Sequence, residues 1–260
     1  MVQVNDLYVA FPEKDGRLDE AVKGISFTVA DGEILGIVGE SGSGKTQTAL
    51  ALAGLSPRKA QVTGQILLDG RDLIPLPREE IRKIQGKEIA MVFQEPMTSL
   101  NPTMRIGRQV EEALAIHTDL DRHARKERAL QALRDVELPE VERLYRKYPH
   151  EISGGQRQRV MIAGAMIGEP KLLIADEPTT ALDVTIQAEI LKLLRKLNQE
   201  KGMSILFISH DLRVIRKLCD RVAVMHNGHI VERGPVEDVF SSPKDEYTRK
   251  LIESIPVRRR

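Results

Sequence analysis

An α/β fold built around a mostly parallel sheet is the architecture this 260-residue chain predicts, and three observations carry it. Compact apolar runs of strand length recur at Ile34–Val38 and at 89–93, 172–175, 204–209 and 221–226. Stretches of helical pattern and length separate several of them, and strands that alternate with helices stack into a parallel sheet covered on both faces. The alternation is suspended over 95–168, where the sequence is charged and helical and no strand-forming run occurs. A helical subdomain inserted into an α/β core is the arrangement that fits all three.

Taken in order, residues 3–11 and 24–30 read as short strands with Asp31-Gly32 as a turn. Ile34–Val38 is an apolar strand that runs into a glycine-rich loop and then a helix over 45–55. Residues 62–69 alternate apolar and polar side chains, as a half-exposed strand does, and 89–93 is a buried strand. From 106 to 138 the pattern is helical, with apolar residues at Ile106, Val110, Leu114, Leu130, Leu133 and Val136. The core resumes with the strands at 172–175, 204–209 and 221–226, with a helix over 185–199. The expected organisation is therefore one domain over 1–260, in which 1–94 and 169–260 form the core and 95–168 the helical insertion. Neither an internal repeat nor a low-complexity linker interrupts it.

Composition bounds the function. A formal charge of +1 argues against a dedicated nucleic-acid binder, which carries a clear basic excess. No apolar run reaches the length of about 18 to 20 residues that spans a bilayer, and the first eleven residues lack the pattern of a secretory signal. A cytosolic chain is expected, with any membrane-spanning part on another polypeptide. The single cysteine, Cys219, forms no intrachain disulfide and reads as a small apolar residue in a helix.

Gly39-Glu40-Ser41-Gly42-Ser43-Gly44-Lys45-Thr46 fits G-x-x-x-x-G-K-[ST], between a strand and a helix as that motif requires. Its glycines let backbone N–H groups converge on phosphate oxygens, and the helix N-terminus adds a favourable dipole. Lys45 reaches the β- and γ-phosphates and the Thr46 hydroxyl ligates Mg²⁺ in this reading, with Gln47 next to them. Asp176 ends an apolar strand, where an acid reaches the metal beside the phosphate loop, and Glu177 follows it. An ordinary Gly-Ser loop and a solvated acidic turn are the plainer alternatives. Ser153-Gly154-Gly155-Gln156 opens a helix, which by itself is a good cap.

These motifs, in this order, resemble the ATPase subunit of an ATP-binding cassette (ABC) transporter, over about residues 3 to 253. The resemblance implies an α/β P-loop NTPase core with a mostly parallel sheet, an N-terminal antiparallel β-subdomain and the inserted helical subdomain. It implies ATP hydrolysis with Mg²⁺, held by Thr46, Gln94 and Asp176. Glu177 corresponds to the general base, Gln94 to a glutamine that contacts Mg²⁺ and water and responds to a membrane partner, and His210 to a γ-phosphate sensor. Phe11 falls where the family stacks an aromatic on adenine, with Tyr8 as the rival. Ser153 to Gln156 correspond to the signature that caps the γ-phosphate of ATP on the opposite subunit. Arg157 and Arg159 reinforce that anion-facing role or are simply solvated. Asp183, in Ala181-Leu182-Asp183, belongs to a loop that crosses between subunits. Ile152 stands where leucine is more usual.

Residues 93–102, Tyr148-Pro149-His150-Glu151 and Tyr247-Thr248 are similar to the importer branch that serves di- and oligopeptides, nickel and glutathione. In the tail, Asp245-Glu246 precede the tyrosine where His-Pro is common, and the cysteine-bearing extension of longer members is missing. The branch implies a second ABC ATPase subunit, expected to be a different homologue with a second copy of this chain as the alternative. It also implies two transmembrane permease subunits, an extracytoplasmic solute-binding protein acting indirectly, and a peripheral position on the cytoplasmic face of the cell membrane. A non-transport cassette acting on DNA or ribosomes fits less well: Lys45 and Asp176 leave room for one compact subdomain and no long coiled coil, and there is one cassette. A P-loop kinase or GTPase leaves the signature unexplained. A regulatory subunit without turnover does not account for Glu177 and His210. An export motor is a further alternative, against which the match at residues 95–102 favours import. Arg258-Arg259-Arg260 read as a solvated tail.

Overall fold

The computed structural model describes residues 1–95, 99–180 and 182–254. The chain divides into two compact units, Met1–Ile81 with Ser204–Arg260, and Arg82–Met203.

In the first unit, β1 (Val2–Pro12) and β2 (Leu18–Val29) form an antiparallel pair with β4 (Gln61–Leu68) on the other side of β1 and the short β5 (Arg71–Asp72) beyond it. Val2, Val4, Leu7 and Val9 point inward and are buried, while irregularities between Val4 and Ala10 break the strict two-residue alternation. The same unit places β3 (Ile34–Val38) between β8 (Ser204–Ser209) and β9 (Arg221–His226), parallel to both. A hairpin then pairs β10 (His229–Pro235) antiparallel to β9. β3 and β8 are buried along their whole length, which is why both read as unbroken apolar runs. The unit also holds the helices α1 (Lys45–Leu52) after the glycine-rich loop, and α10 (Val236–Ser241) and α11 (Glu246–Glu253) after β10. Another, α9 (Leu212–Leu218), follows β8 and packs on it and on β3.

The boundary between the units falls inside α2 (Arg78–Ile84). The second unit contains the parallel pair β6 (Ile89–Val92) and β7 (Leu172–Asp176), and a helical group. That group comprises α3 (Ile106–Val110), α4 (Glu112–His117), α5 (Arg122–Asp135), α6 (Val141–Leu144), a 3₁₀ turn at Pro149–Glu151 and α7 (Gly154–Met166). α8 (Val184–Lys201) follows β7. Ile106, Val110, Leu114, Leu130, Leu133 and Val136 are all buried, so the apolar positions marked the inner face correctly. No described helix is long and apolar enough to cross a membrane.

Several boundaries differ from expectation. α1 ends at Leu52, three residues early, because Gly54 at φ +65° closes the turn. The helical stretch 106–138 is three helices, broken at Glu111 and again at Thr118–Asp121. β1 and β2 each extend further than the short strands expected. Cys219 is buried, yet it sits just past the end of α9 in extended conformation and not within a helix. β5, α2, β10, α10 and α11 carried no pattern strong enough to read.

Candidate functional site

The parallel strands of each unit deliver the chemistry-bearing residues to their carboxyl ends, where open α/β sheets bind ligands. In the first unit Val38 of β3 pairs in register with Ser209 of β8, so Gly39 and His210 leave two adjacent strands side by side. The loop from Gly39 to Gly44 owes its shape to its end glycines. A Cβ on Gly39 would stand 2.1 Å from the Met225 carbonyl oxygen, and Gly44 has φ +102° with the Ala21 carbonyl 2.4 Å from where its Cβ would be. Only glycine fits either place. Gly44 is also the N-cap of α1, so the N–H groups of the first helical turn face the loop.

Lys45 is buried, 5% exposed, and its ammonium donates to the carbonyls of Gly39 at 2.8 Å and Glu40 at 2.7 Å. Its charge is thus held on the loop's inner side by backbone dipoles. The N–H of Gly228 donates to the Ser43 carbonyl at 3.1 Å, tying the β9–β10 turn to the loop. Ser41, Gly42 and Thr46 are exposed, Ser43 is buried and Gln47 is half-buried. A loop of convergent N–H groups around a fixed ammonium suits a polyphosphate.

His210 is exposed at the end of β8. The next residue, Asp211, caps α9 by accepting from the Arg213 N–H at 2.8 Å, and it also pairs with the Arg213 guanidinium at 2.8 Å. Burial pushes the Asp211 carboxyl up, but these hydrogen bonds outweigh it and hold the group below its ordinary range. Tyr8 lies across Gly24, its hydroxyl 2.7 Å from where a Cβ would be, and is 41% exposed. Phe11 is half-buried near the end of β1, with the Lys59 ammonium 5.9 Å from its ring centre.

In the second unit Val92 of β6 pairs with Ala175 of β7, so Gln94 and the two acids emerge together. Gln94 Nε2 donates to Glu177 Oε2 at 3.2 Å, and the Thr180 hydroxyl donates to the same oxygen at 2.8 Å. Glu177 has φ +46°, an uncommon conformation for a residue with a side chain, and the turn is closed by the Thr180 N–H on the Glu177 carbonyl at 3.1 Å. Asp176 is 3% exposed at the strand end. Thr46, Asp176 and the Gln94 amide oxygen each offer a hard oxygen donor, the kind that Mg²⁺ takes. The Gln94 amide nitrogen is turned to Glu177, which leaves its oxygen for such a role. Among the sequence-marked residues, Gln94 and Glu177 are brought into direct contact; Thr180 escaped notice there, although a threonine three positions after the glutamate was the available signal.

Ser153 to Gln156 open α7 with a complete capping box. Gln156 N–H donates to Ser153 Oγ at 3.3 Å, and Ser153 N–H donates to the Gln156 side chain at 3.1 Å. Ser153 and Gly154 are exposed, and no described residue beyond its chain neighbours and its own helix backbone lies within 4 Å of a Cβ placed on Gly154. The two arginines behind the signature are bonded within the fold and are not simply solvated. Arg157 Nε donates to the Pro149 carbonyl at 2.7 Å, and Arg159 donates to the Val136 carbonyl at 2.8 Å and pairs with Glu189 at 3.0 Å. They tie α7 to its neighbours. Asp183 caps α8, accepting from Thr185 and Ile186 at 3.0 and 2.9 Å. Ala181, Pro96-Met97-Thr98 and Arg258-Arg259-Arg260 lie outside the described residues.

A glycine-built phosphate cradle, a strand-end acid pair and a glycine-rich helix start define a nucleotide-hydrolysing cassette. A family model described as ABC transporter matches residues 22–180, and the chain belongs to that family. It is 48% identical over 259 residues to the oligopeptide transport ATP-binding protein OppD of Bacillus subtilis, covering 99% of this chain and 72% of the relative. It is 47% identical over 256 residues to OppD of Salmonella typhimurium, covering 98% and 76%. Among solved structures, the ATP-binding cassette MJ0796 bound to ADP and Pi, in a dimeric post-hydrolysis state, matches with a TM-score of 0.81 at 30% identity, over 91% of this chain and 99% of that one.

Proposed function

We propose that this chain is the ATP-hydrolysing motor subunit of a peptide importer, lying on the cytoplasmic face of the cell membrane against two permease subunits that a solute-binding protein supplies. The observation that carries hydrolysis is the Glu177 carboxylate, oriented at the end of β7 by Gln94 and Thr180. Peptide cargo is supported by the names of relatives at 47–48% identity over nearly the whole chain.

ATP would bind with its phosphates in the loop Gly39–Thr46, Gln47 alongside, and adenine on Phe11. Tyr8 is the weaker platform because its ring already covers Gly24. The fixed Lys45 ammonium offsets charge on the β- and γ-phosphates, and His210, leaving the strand beside Gly39, senses the terminal one. Thr46, Gln94 and Asp176 would hold Mg²⁺, which supplies charge compensation on the phosphate oxygens. Glu177 takes a proton from the attacking water as general base. Gln94 and Thr180 both donate to the same carboxylate oxygen of Glu177, which helps to orient the group.

A second cassette completes each site. Ser153 to Gln156 face the γ-phosphate bound by the partner, a different homologue or a second copy, and Asp183 lies in the loop at that boundary. Residues 95–168 form the helical signature subdomain of the single domain 1–260, and with Gln94 they pass closure and opening of the cassettes to the permeases.

Glu177→Gln keeps shape and hydrogen bonding but removes the base. Hydrolysis by the purified protein, alone or reconstituted with its partners, is expected to fall by roughly 10² to 10⁴. Fluorescent-nucleotide binding should persist and an ATP-dependent cassette dimer accumulate on a sizing column. Wild-type turnover in this variant would refute the assignment of Glu177.

A further inference from the structure

The C-terminal helix α11 reaches the phosphate loop through one side chain that the mechanism above does not use. Tyr247 stacks on His226 with ring centroids 3.9 Å apart and planes 7° from parallel. Its hydroxyl oxygen accepts the backbone N–H of Glu40 at 3.1 Å. The carbonyl of that same residue accepts the Lys45 ammonium at 2.7 Å. The Glu40 N–H shares its peptide unit with the Gly39 carbonyl, which accepts the Lys45 ammonium at 2.8 Å, so the Tyr247 hydroxyl oxygen and the Lys45 ammonium stand at the two ends of one hydrogen-bonded peptide.

The platform under the ring belongs to the loop's own support. His226 ends β9, next to the Met225 carbonyl against which Gly39 is pressed, and two residues before Gly228, whose N–H holds the Ser43 carbonyl. The far side is anchored as well. Glu232 of β10 accepts the N–H groups of Lys244 at 2.9 Å and Asp245 at 3.1 Å. Burial raises the Glu232 carboxyl, but these two backbone donors prevail and hold it below the ordinary range. Asp245 then caps α11 on the Tyr247 N–H at 2.8 Å, which aims the tyrosine back at the loop. Asp245 thus fills a structural role at the place where the importer branch commonly carries a different residue.

We propose that Tyr247, seated on His226, is a positioning residue for the phosphate loop: it holds the Glu40 peptide that in turn orients Lys45. The proposal rests on the reading of Gly39–Thr46 as the ATP site. Because Glu40 is exposed, water replaces the lost partner in a variant, so the effect expected is that of one net hydrogen bond.

Tyr247→Phe keeps the stack and the volume and removes the hydroxyl oxygen. The dissociation constant for a fluorescent ATP analogue and the KM for ATP are expected to rise roughly threefold to tenfold, with kcat at saturating ATP within about twofold of wild type. Amide exchange at Glu40 should accelerate while β3 exchanges as before, and the thermal midpoint should stay unchanged. Tyr247→Ala, which also loses the stack, should weaken binding further, and the Phe variant decides the matter if the Ala variant does not fold. Unchanged affinity together with unchanged exchange at Glu40 in Tyr247→Phe would overturn the proposal. Lys45→Ala serves as the control. If it loses ATP while Tyr247→Phe behaves as wild type, the positioning role alone falls; if it binds ATP as tightly as wild type, the phosphate-loop reading falls and takes this proposal with it.

Discussion

Glycines stand at the starts of α1 and α7, and the two starts are built in opposite ways. At Gly39 and Gly44 the space for a side chain is filled by the chain's own backbone, the carbonyls of Met225 and Ala21. At Gly154 no described residue beyond its chain neighbours and its own helix backbone comes within 4 Å of that space, and the residue is exposed. The phosphate loop needs its glycines in order to fold. The turn at Ser153 is already satisfied by its own capping box, and Gly154 contributes nothing to it that alanine would not. Glycine within a helix costs about 1 kcal/mol relative to alanine. Under the proposed function, the open space at Gly154 is where a phosphate held by a second cassette would approach.

Gly39→Ala breaks the comparison on the first side and should give the larger effect. Overpacking against a backbone carbonyl costs about 1–3 kcal/mol. If binding bears all of it, nucleotide affinity falls roughly 5- to 150-fold, as fluorescent-nucleotide titration would record. The lower thermal midpoint expected alongside is what distinguishes this glycine from Gly154. At the small end lies Asp211→Ala, which removes the cap of α9 and should lower stability by about 1 kcal/mol in chemical denaturation. Asp211 is held below its ordinary pKa, so its contribution is complete at neutral pH and is lost as the pH falls through the lowered value. The wild-type advantage over Asp211→Ala should therefore shrink in acid and be constant above the ordinary carboxylate range.

The same contrast, between backbone that dictates its residues and side chains that find distant partners, separates what was legible in the sequence from what was not. Ile34–Val38, 204–209 and 221–226 were legible to the residue because central parallel strands are buried on both faces and form unbroken apolar runs. The helical stretch was legible as a block, and its inward face was marked correctly, but its breaks were not. α3 gives way to α4 at Glu111, a buried carboxylate that accepts the Tyr145 hydroxyl, and no local periodicity announces a contact 34 residues away. α11 was hidden for the same reason: it is held by Glu232 and Asp245 and is too short to show its own pattern. In the site, residues fixed by backbone chemistry were plain, since a glycine-rich loop between strand and helix, followed by a strand-end acid pair, suits little besides a phosphate and its metal. The partners of Arg157 and Arg159 were not legible because long side chains take whichever carbonyl or carboxylate the fold brings near, and sequence does not say which.

The central claim is that Gly154 answers to a phosphate held by another cassette and not to its own helix. Gly154→Asp tests it with the greatest contrast. An acid in the first turn is favourable for the helix itself, by about 0.3–1 kcal/mol, and repels an anion approaching that turn. The variant should be measured in whichever assembly the wild type hydrolyses ATP, with thermal midpoint and fluorescent-nucleotide affinity recorded on the same preparation. An unchanged or higher midpoint and unchanged nucleotide affinity, together with hydrolysis reduced by roughly a hundredfold, is the predicted result. Wild-type hydrolysis in the variant would contradict the claim.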